Sequence, residues 1–137
     1  MVIMVIFKAI VELRVDKSKE QLLSMVNPLY FGNTPIGFFY GAANHDKCGV
    51  GVHIKVDVHH SFKAFMAIGS GTNISAELLA FWLALHLCRN LNIMDVHLAG
   101  DSKVIIDWFN HRAALNFLIL QAWKVRIREL ETFFSSL

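Results

Sequence analysis

Gly71-Thr72-Asn73-Ile74-Ser75-Ala76-Glu77-Leu78-Leu79-Ala80 opens a long helix that the sequence predicts from Thr72 to Leu91. Thr72 or Asn73 is its natural N-cap, because a short oxygen-bearing side chain can accept from the unpaired N–H groups of a first turn. At about 100° per residue, Ser75, His86, Arg89 and Asn90 gather on one side of this helix. Glu77 lies nearly opposite, among Ala80, Phe81, Ala84, Cys88 and Leu91. A lone carboxylate in an apolar stripe is costly, on the order of several kcal/mol, unless a metal, a donor or a shifted pKa offsets it. Helix patterning does not account for Glu77, so it asks for a functional explanation.

The segments around the helix have the pattern of a sheet. Ile36 to Ala42 predicts a first strand. Cys48 to Val56 alternates, with Cys48, Val50, Val52, Ile54 and Val56 set against Gly49, Gly51, His53 and Lys55. That period of two marks a strand with one buried face. Phe62, Ala64, Met66 and Ile68 repeat it in a third strand, after a turn at Asp57 to His60. Short connections between the three predict an antiparallel meander. Beyond the helix come a short strand at Asp95 to Ala99, a helix at Asp101 to Asn110 and another at Leu115 to Phe134. The core side of the last helix is marked by Trp123, Ile127, Leu130 and Phe134. The order β-β-β-α-β-α-α predicts a mixed α/β layer fold.

Ahead of this pattern, residues 1–12 suit either a strand or a buried helix, and Leu13 to Val26 has a helical look that Asn27-Pro28 ends. We expect an N-terminal extension over residues 1–34 without readable chemistry, and one domain over residues 35–137.

Bulk composition supports one domain. A chain of 137 residues with 55% hydrophobic and 18% charged residues can bury a substantial core and is not a disordered segment. The net charge of +2 permits nucleic-acid binding without arguing for it. Cys48 and Cys88 fall in a strand and a helix, and we expect two reduced, buried thiols rather than a disulfide. Lys8 interrupts the apolar start and no basic region precedes it, so no signal peptide is expected. The apolar run Ala76 to Cys88 is too short to span a bilayer. These features predict a soluble nuclear or cytoplasmic protein with no membrane partner.

Gly100-Asp101-Ser102-Lys103 closes the fourth strand and opens the next helix. Sites in α/β sheets gather at the carboxyl ends of strands, so Asp101 can meet Glu77 if the long helix packs over the sheet. Taken alone, Asp101 is equally an N-cap. Beside a second carboxylate that no cap explains, the ligand reading is preferred. Two convergent carboxylates suit Mg²⁺, a hard cation that keeps several waters. In two-metal phosphodiester hydrolysis one ion activates water and the other steadies the leaving oxygen, and that chemistry calls for three or four carboxylates.

From Pro35 onward the chain resembles a plant-type ribonuclease H domain, of the reverse-transcriptase-like kind associated with plant retroelements. The resemblance rests on Phe38-Phe39-Tyr40-Gly41-Ala42, Cys48-Gly49-Val50-Gly51, Gly69-Ser70-Gly71-Thr72-Asn73 leading to Ala76-Glu77-Leu78, and Gly100-Asp101-Ser102-Lys103-Val104-Ile105-Ile106-Asp107-Trp108, in that order and spacing. Each piece is weak alone, and the ordered set is specific. It implies a ribonuclease H-like mixed sheet, and Mg²⁺-dependent hydrolysis of the RNA strand of an RNA–DNA hybrid. It puts Glu77 and Asp101 on two of the family's metal-binding carboxylates. Thr72, Asn73 and Ser102 fall on segments that approach the nucleic-acid backbone. No small-molecule cofactor is expected.

Two departures bear on activity. Where the family has its first catalytic Asp, this chain has Tyr40, a phenol that is neutral at pH 7 and a poor Mg²⁺ ligand. Asp46 stands six residues on, in the following turn, too far along an extended strand to replace it. Family members also continue past the third helix into a fifth strand and a helix that carries a fourth carboxylate, whereas this sequence stops at Ser135-Ser136-Leu137. The expected consequences are a bare sheet edge and hydrolysis that is weak or lost, because two Mg²⁺ ions repel strongly without enough negative charge around them. The resemblance thus implies a piece of a retroelement-derived gene. It acts as an impaired nuclease or, alternatively, as an inactive module that only binds nucleic acid or protein.

Other signals are set aside. His53, His59 and His60 could meet across the second hairpin, but they lack a zinc spacing and suit a solvated surface. Lys124, Arg126 and Arg128 could touch phosphates. Glu129 and Glu131 follow at once, as on a solvated helix face. Trp82, Trp108 and Trp123 stand at core spacing and are taken as packing. Lys103 is either a neighbour of a scissile phosphate or an exposed residue of a first helical turn.

Overall fold

The computed structural model describes residues 3–6, 35–44, 47–100 and 102–135, with the backbone alone at 3–6 and 135. The elements are β1 (Ile3–Ile6), β2 (Ile36–Asn44), β3 (Lys47–Lys55), β4 (Ser61–Gly69), α1 (Asn73–Asn90), β5 (Val96–Ala99), α2 (Lys103–Phe109), a 3₁₀ turn (Leu118–Leu120) and α3 (Gln121–Ser135). The expected helix over Leu13 to Val26 lies outside the described residues, as does Asp46.

β2, β3 and β4 form the predicted antiparallel meander, with Phe39 opposite Val52 and Val52 opposite Ala64. β5 then lies parallel to β2, and β1 lies parallel to β5, giving the order β1-β5-β2-β3-β4. The outer edge of β5, expected to be bare, is therefore paired with Ile3–Ile6 in register with Val96–Ala99. A parallel partner satisfies the same row of N–H and C=O groups that a later strand would satisfy.

Alternation along β3 sets which of its side chains meet the helices, whereas Ile36–Phe39 of β2 are buried on both faces. Phe39, Val52, Ile54 and Leu98 are fully buried on the face that the helices cover. α1 delivers Leu78, Phe81, Ala84, Leu85 and Cys88 to that face, and α3 adds Ile127, Leu130 and Phe134. Phe81 joins the layers, with its ring 5.0 Å from that of Phe39 and 4.7 Å from that of Phe109. The tryptophans pack as expected. Trp82 meets Trp123 edge-on at 5.4 Å between α1 and α3, and the Arg128 guanidinium covers Trp108 at 4.4 Å. Cys48 and Cys88 are free and buried, and burial pushes the Cys88 thiol up to about 12.

The last helix begins six residues later than predicted. Leu115 is buried in the core while Phe117 is extended, so the chain enters the helix through the 3₁₀ turn rather than at Leu115. That route leaves Leu118 and Ile119 largely exposed.

Candidate functional site

The N-terminus of α1 is closed by its own side chains. Thr72 Oγ1 accepts from the Ser75 N–H at 3.2 Å, and the Thr72 N–H donates to Ser75 Oγ at 2.8 Å, forming a reciprocal capping box. Asn73 Oδ1 accepts from the Ala43 N–H at 2.8 Å, which ties the helix start to the end of β2. Both residues remain exposed. The two expected nucleic-acid contacts thus each have a structural task, which the sequence had disclosed only for the cap.

This tether sets the depth of Glu77. A Cβ placed on Gly41 would lie 2.3 Å from the carbonyl carbon of Ala76 and 2.6 Å from the Glu77 nitrogen. Only glycine lets the first turn of α1 sit so close to the strand. Glu77 is half-buried, and its Oε2 is buried. The helical wheel assigned its side correctly, while the residue stands nearer the rim of the packed face than its centre.

The end of β5 arrives at the same place. A Cβ on Gly100 would lie 2.4 Å from Phe39 Cζ, so the chain leaves β5 directly against the Phe39 ring. Phe39 and Gly41 are two residues apart on one face of β2, a separation of about 7 Å in an extended strand. The α1 turn bearing Glu77 and the strand end that precedes Asp101 thus converge on neighbouring positions. Asp101 itself lies outside the described residues. β5 pairs with β2 only over Ile36–Phe38. Beyond Phe38 no strand among the described residues borders that edge of β2, so groups from both faces can meet around it.

Tyr40 occupies the adjacent position with its side chain on the opposite face. Its ring lies across Gly51, where an added Cβ would come within 2.4 Å of it, and reaches Phe65 at 6.4 Å and Phe38 at 5.8 Å between centroids. This aromatic row was not foreseen. Its only sequence signal is the glycine opposite Tyr40, whose meaning depends on strand register.

The remaining candidates divide. Ser102 is half-buried at the N-cap of α2, where its carbonyl accepts from the Ile106 N–H at 3.1 Å. Lys103 is exposed and pairs with Asp107 one turn on. His59 and His60 are exposed, and the His60 ring engages Asp57 at 2.8 Å, which holds the Asp57 carboxyl below its usual range. Arg128 binds the carbonyls of Trp108 and Phe109, both at 3.2 Å, and so serves the C-terminus of α2.

A Mg²⁺ pair asks for a dense set of carboxylates. Among the described residues no group of three His, Cys, Asp or Glu could hold a metal. At this corner the described donor set is Glu77 alone. It does not fit two-ion chemistry, and a single hard cation would need Asp101 and water to complete its shell.

A family model described as reverse transcriptase-like matches residues 48–137. Among solved structures, the chain is similar to ribonuclease H1 from the halophilic archaeon Halobacterium salinarum NRC-1, with 26% identity and a TM-score of 0.66 over 72% of this chain and 77% of that one. It is similar to LC11-RNase H1, from a compost metagenome and crystallised with an RNA/DNA hybrid, with 20% identity and a TM-score of 0.67 over 73% and 78%. It is also similar to the foamy viral protease–reverse transcriptase in complex with double-stranded DNA, with 18% identity and a TM-score of 0.52 over 74% and 76%. No curated protein sequence matches. The fold is ribonuclease H-like. No helix among the described residues is long and apolar enough to cross a membrane.

Proposed function

Because the chain belongs to the reverse transcriptase-like family, we propose that it is a ribonuclease H-type domain that binds RNA–DNA hybrids and has weak or lost hydrolytic activity. The observation that carries this reading is the convergence of the Glu77 turn and the end of β5 on Phe39–Gly41. That corner is open along the β2 edge beyond Phe38 among the described residues, which suits approach by a nucleic-acid backbone. With Oδ1 turned to Ala43, the Asn73 amide keeps two N–H donors for a phosphate oxygen. Thr72 and Ser102 would flank the same backbone, and Glu77 with Asp101 would hold a single Mg²⁺.

When bound, Mg²⁺ would supply charge neutralisation at a phosphate. The chain's own contribution is to hold Glu77 against the strand by the Gly41 contact and to orient the α1 start through Asn73. Tyr40 supports impairment, since a neutral phenol packed toward Phe65 adds no anionic ligand. The same packing favours the second reading, an inactive domain that binds without cutting.

A fluorescent RNA–DNA hybrid tests the proposal in one titration. Salt-sensitive binding is expected, with little or no cleavage in Mg²⁺, and any cleavage should vanish in Glu77→Gln. Binding without turnover supports the inactive module. Absence of hybrid binding at low salt contradicts both.

A further inference from the structure

β4 forms one edge of the sheet, and among the described residues only β3 pairs with it. An edge strand turns half of its N–H and C=O groups outward, where another extended chain can take them up. Natural edges are commonly guarded by proline, by several charges or by a covering loop. Ser61–Gly69 has no proline and a single charged residue, Lys63, and none of its nine residues is buried. The register shift opposite Cys48 and Gly49 comes only at its far end, so Ser61–Ala67 runs regularly. Both faces of this edge are apolar. Phe62 shares a row with Ile54 on the helix side and is 39% exposed, while Phe65 shares a row with Gly51 on the other side and is 71% exposed. Rings left in water on both sides of an unguarded edge carry a cost in apolar hydration that a partner strand would reduce.

The strand is complementary to itself. In antiparallel pairing about a two-fold axis at Phe65, that ring stands beside its own copy, Ala64 lies opposite Met66, and Lys63 lies opposite Ala67. Ring meets ring, and each longer side chain meets a methyl group. The two Lys63 residues are then four positions apart along the strand, about 13 Å, which exceeds a Debye length at physiological salt. An axis at Ala64 halves that separation, and an axis at Lys63 sets like charges face to face. An axis nearer Gly69 runs into the irregular end of β4. A nucleic-acid strand would find one cation on this edge. An unrelated peptide would have to supply the pattern of large and small residues that a second copy already carries.

We propose that the chain forms a two-fold dimer in which β4 pairs antiparallel with β4 of a second copy, with Phe65 beside its counterpart at the axis. The two sheets then continue into one. A contact confined to a strand edge falls at the small end of interface sizes, so the dimer is weak and depends on concentration. β4 is already held by β3, so the fold of the monomer does not depend on this pairing. The edge is separate from the Glu77 corner and needs no metal.

Sedimentation velocity on the full chain tests it. The parent should pass from monomer to dimer as its concentration rises, and β4 amides should gain hydrogen-exchange protection over the same range. Phe65→Lys should weaken self-association about 10- to 30-fold, because it removes the ring pair and sets like charges opposite each other. Phe65→Glu should do the same, and an equimolar mixture of the two variants should restore the dimer, since unlike charges then meet at the axis. The side chain replaced is exposed, so both variants should keep the far-UV circular dichroism of the parent. The proposal is overturned if the parent stays monomeric at every concentration, or if β4 protection is the same in dilute and concentrated chain. It is also overturned if Phe65→Lys dimerises like the parent, if Phe65→Glu dimerises alone, if the mixture stays monomeric, or if the parent grows into assemblies larger than a dimer.

Discussion

Phe39 and Phe65 stand on opposite faces of one sheet and have opposite surroundings. Phe39 is fully buried under α1, against Phe81 and the end of β5, whereas Phe65 is 71% exposed beside Tyr40. The first face is specified by packing, so it holds the fold and sets where Glu77 can be. The second is buried around Ile36 and Phe38 and exposed at Phe65, so packing constrains one end of it far more than the other. The two faces thus differ most at Phe65, and they meet where β5 stops pairing with β2.

The sharpest contrast is between alanine substitutions on the two faces. Phe39→Ala should cost about 3–5 kcal/mol by removing a core ring, while Phe65→Ala should stay within about 0.5 kcal/mol, as exposed positions do. Urea denaturation of the two variants checks this, and equal losses would break the comparison. Gly41→Ala comes next. Its Cβ meets the backbone of α1 rather than a movable side chain, so a loss of about 1–3 kcal/mol is expected, as for other overpacked sites. It should also impair hybrid binding, because the Glu77 turn must move away.

The buried face also predicts a pH response. Burial raises the folded-state pKa of the Cys88 thiol to about 12, above the unfolded value. Its contribution is therefore complete below pH of about 8.5 and is lost as pH rises toward the folded value, by up to about 1.4 kcal/mol per pH unit. Thermal unfolding between pH 8 and 10.5 should show this decline, and Cys88→Ala should flatten it. Smallest is Thr72→Ala, which opens the capping box and should cost about 1 kcal/mol. If hybrid affinity falls by more than that loss of folding explains, Thr72 also touches the backbone directly.

Much of the packed face was legible in the sequence. The alternation from Cys48 to Val56 corresponds to β3 (Lys47–Lys55), and Thr72 is the N-cap of α1. Periodicity reports which side of an element is apolar, and that is what packing against one face requires. It does not report how two elements pair. Ile3–Ile6 is a uniformly apolar run with no period, so its parallel partner at β5 could not be read. The depth of Glu77 depends on Gly41, thirty-six residues earlier, and the Tyr40–Phe65 pair depends on the register through Gly51. Leu115 was read as the first residue of a helix because its apolar character fits both a helix and a buried loop anchor.

In the proposed function Glu77 helps to hold a hard cation, and Tyr40, in place of an acid, weakens that site. Calorimetric titration of Mg²⁺ into Tyr40→Asp, and into the same variant carrying Glu77→Gln, tests this directly. The account predicts a binding heat in the first that disappears in the second. No heat in Tyr40→Asp, or an unchanged heat after Glu77→Gln, would contradict it.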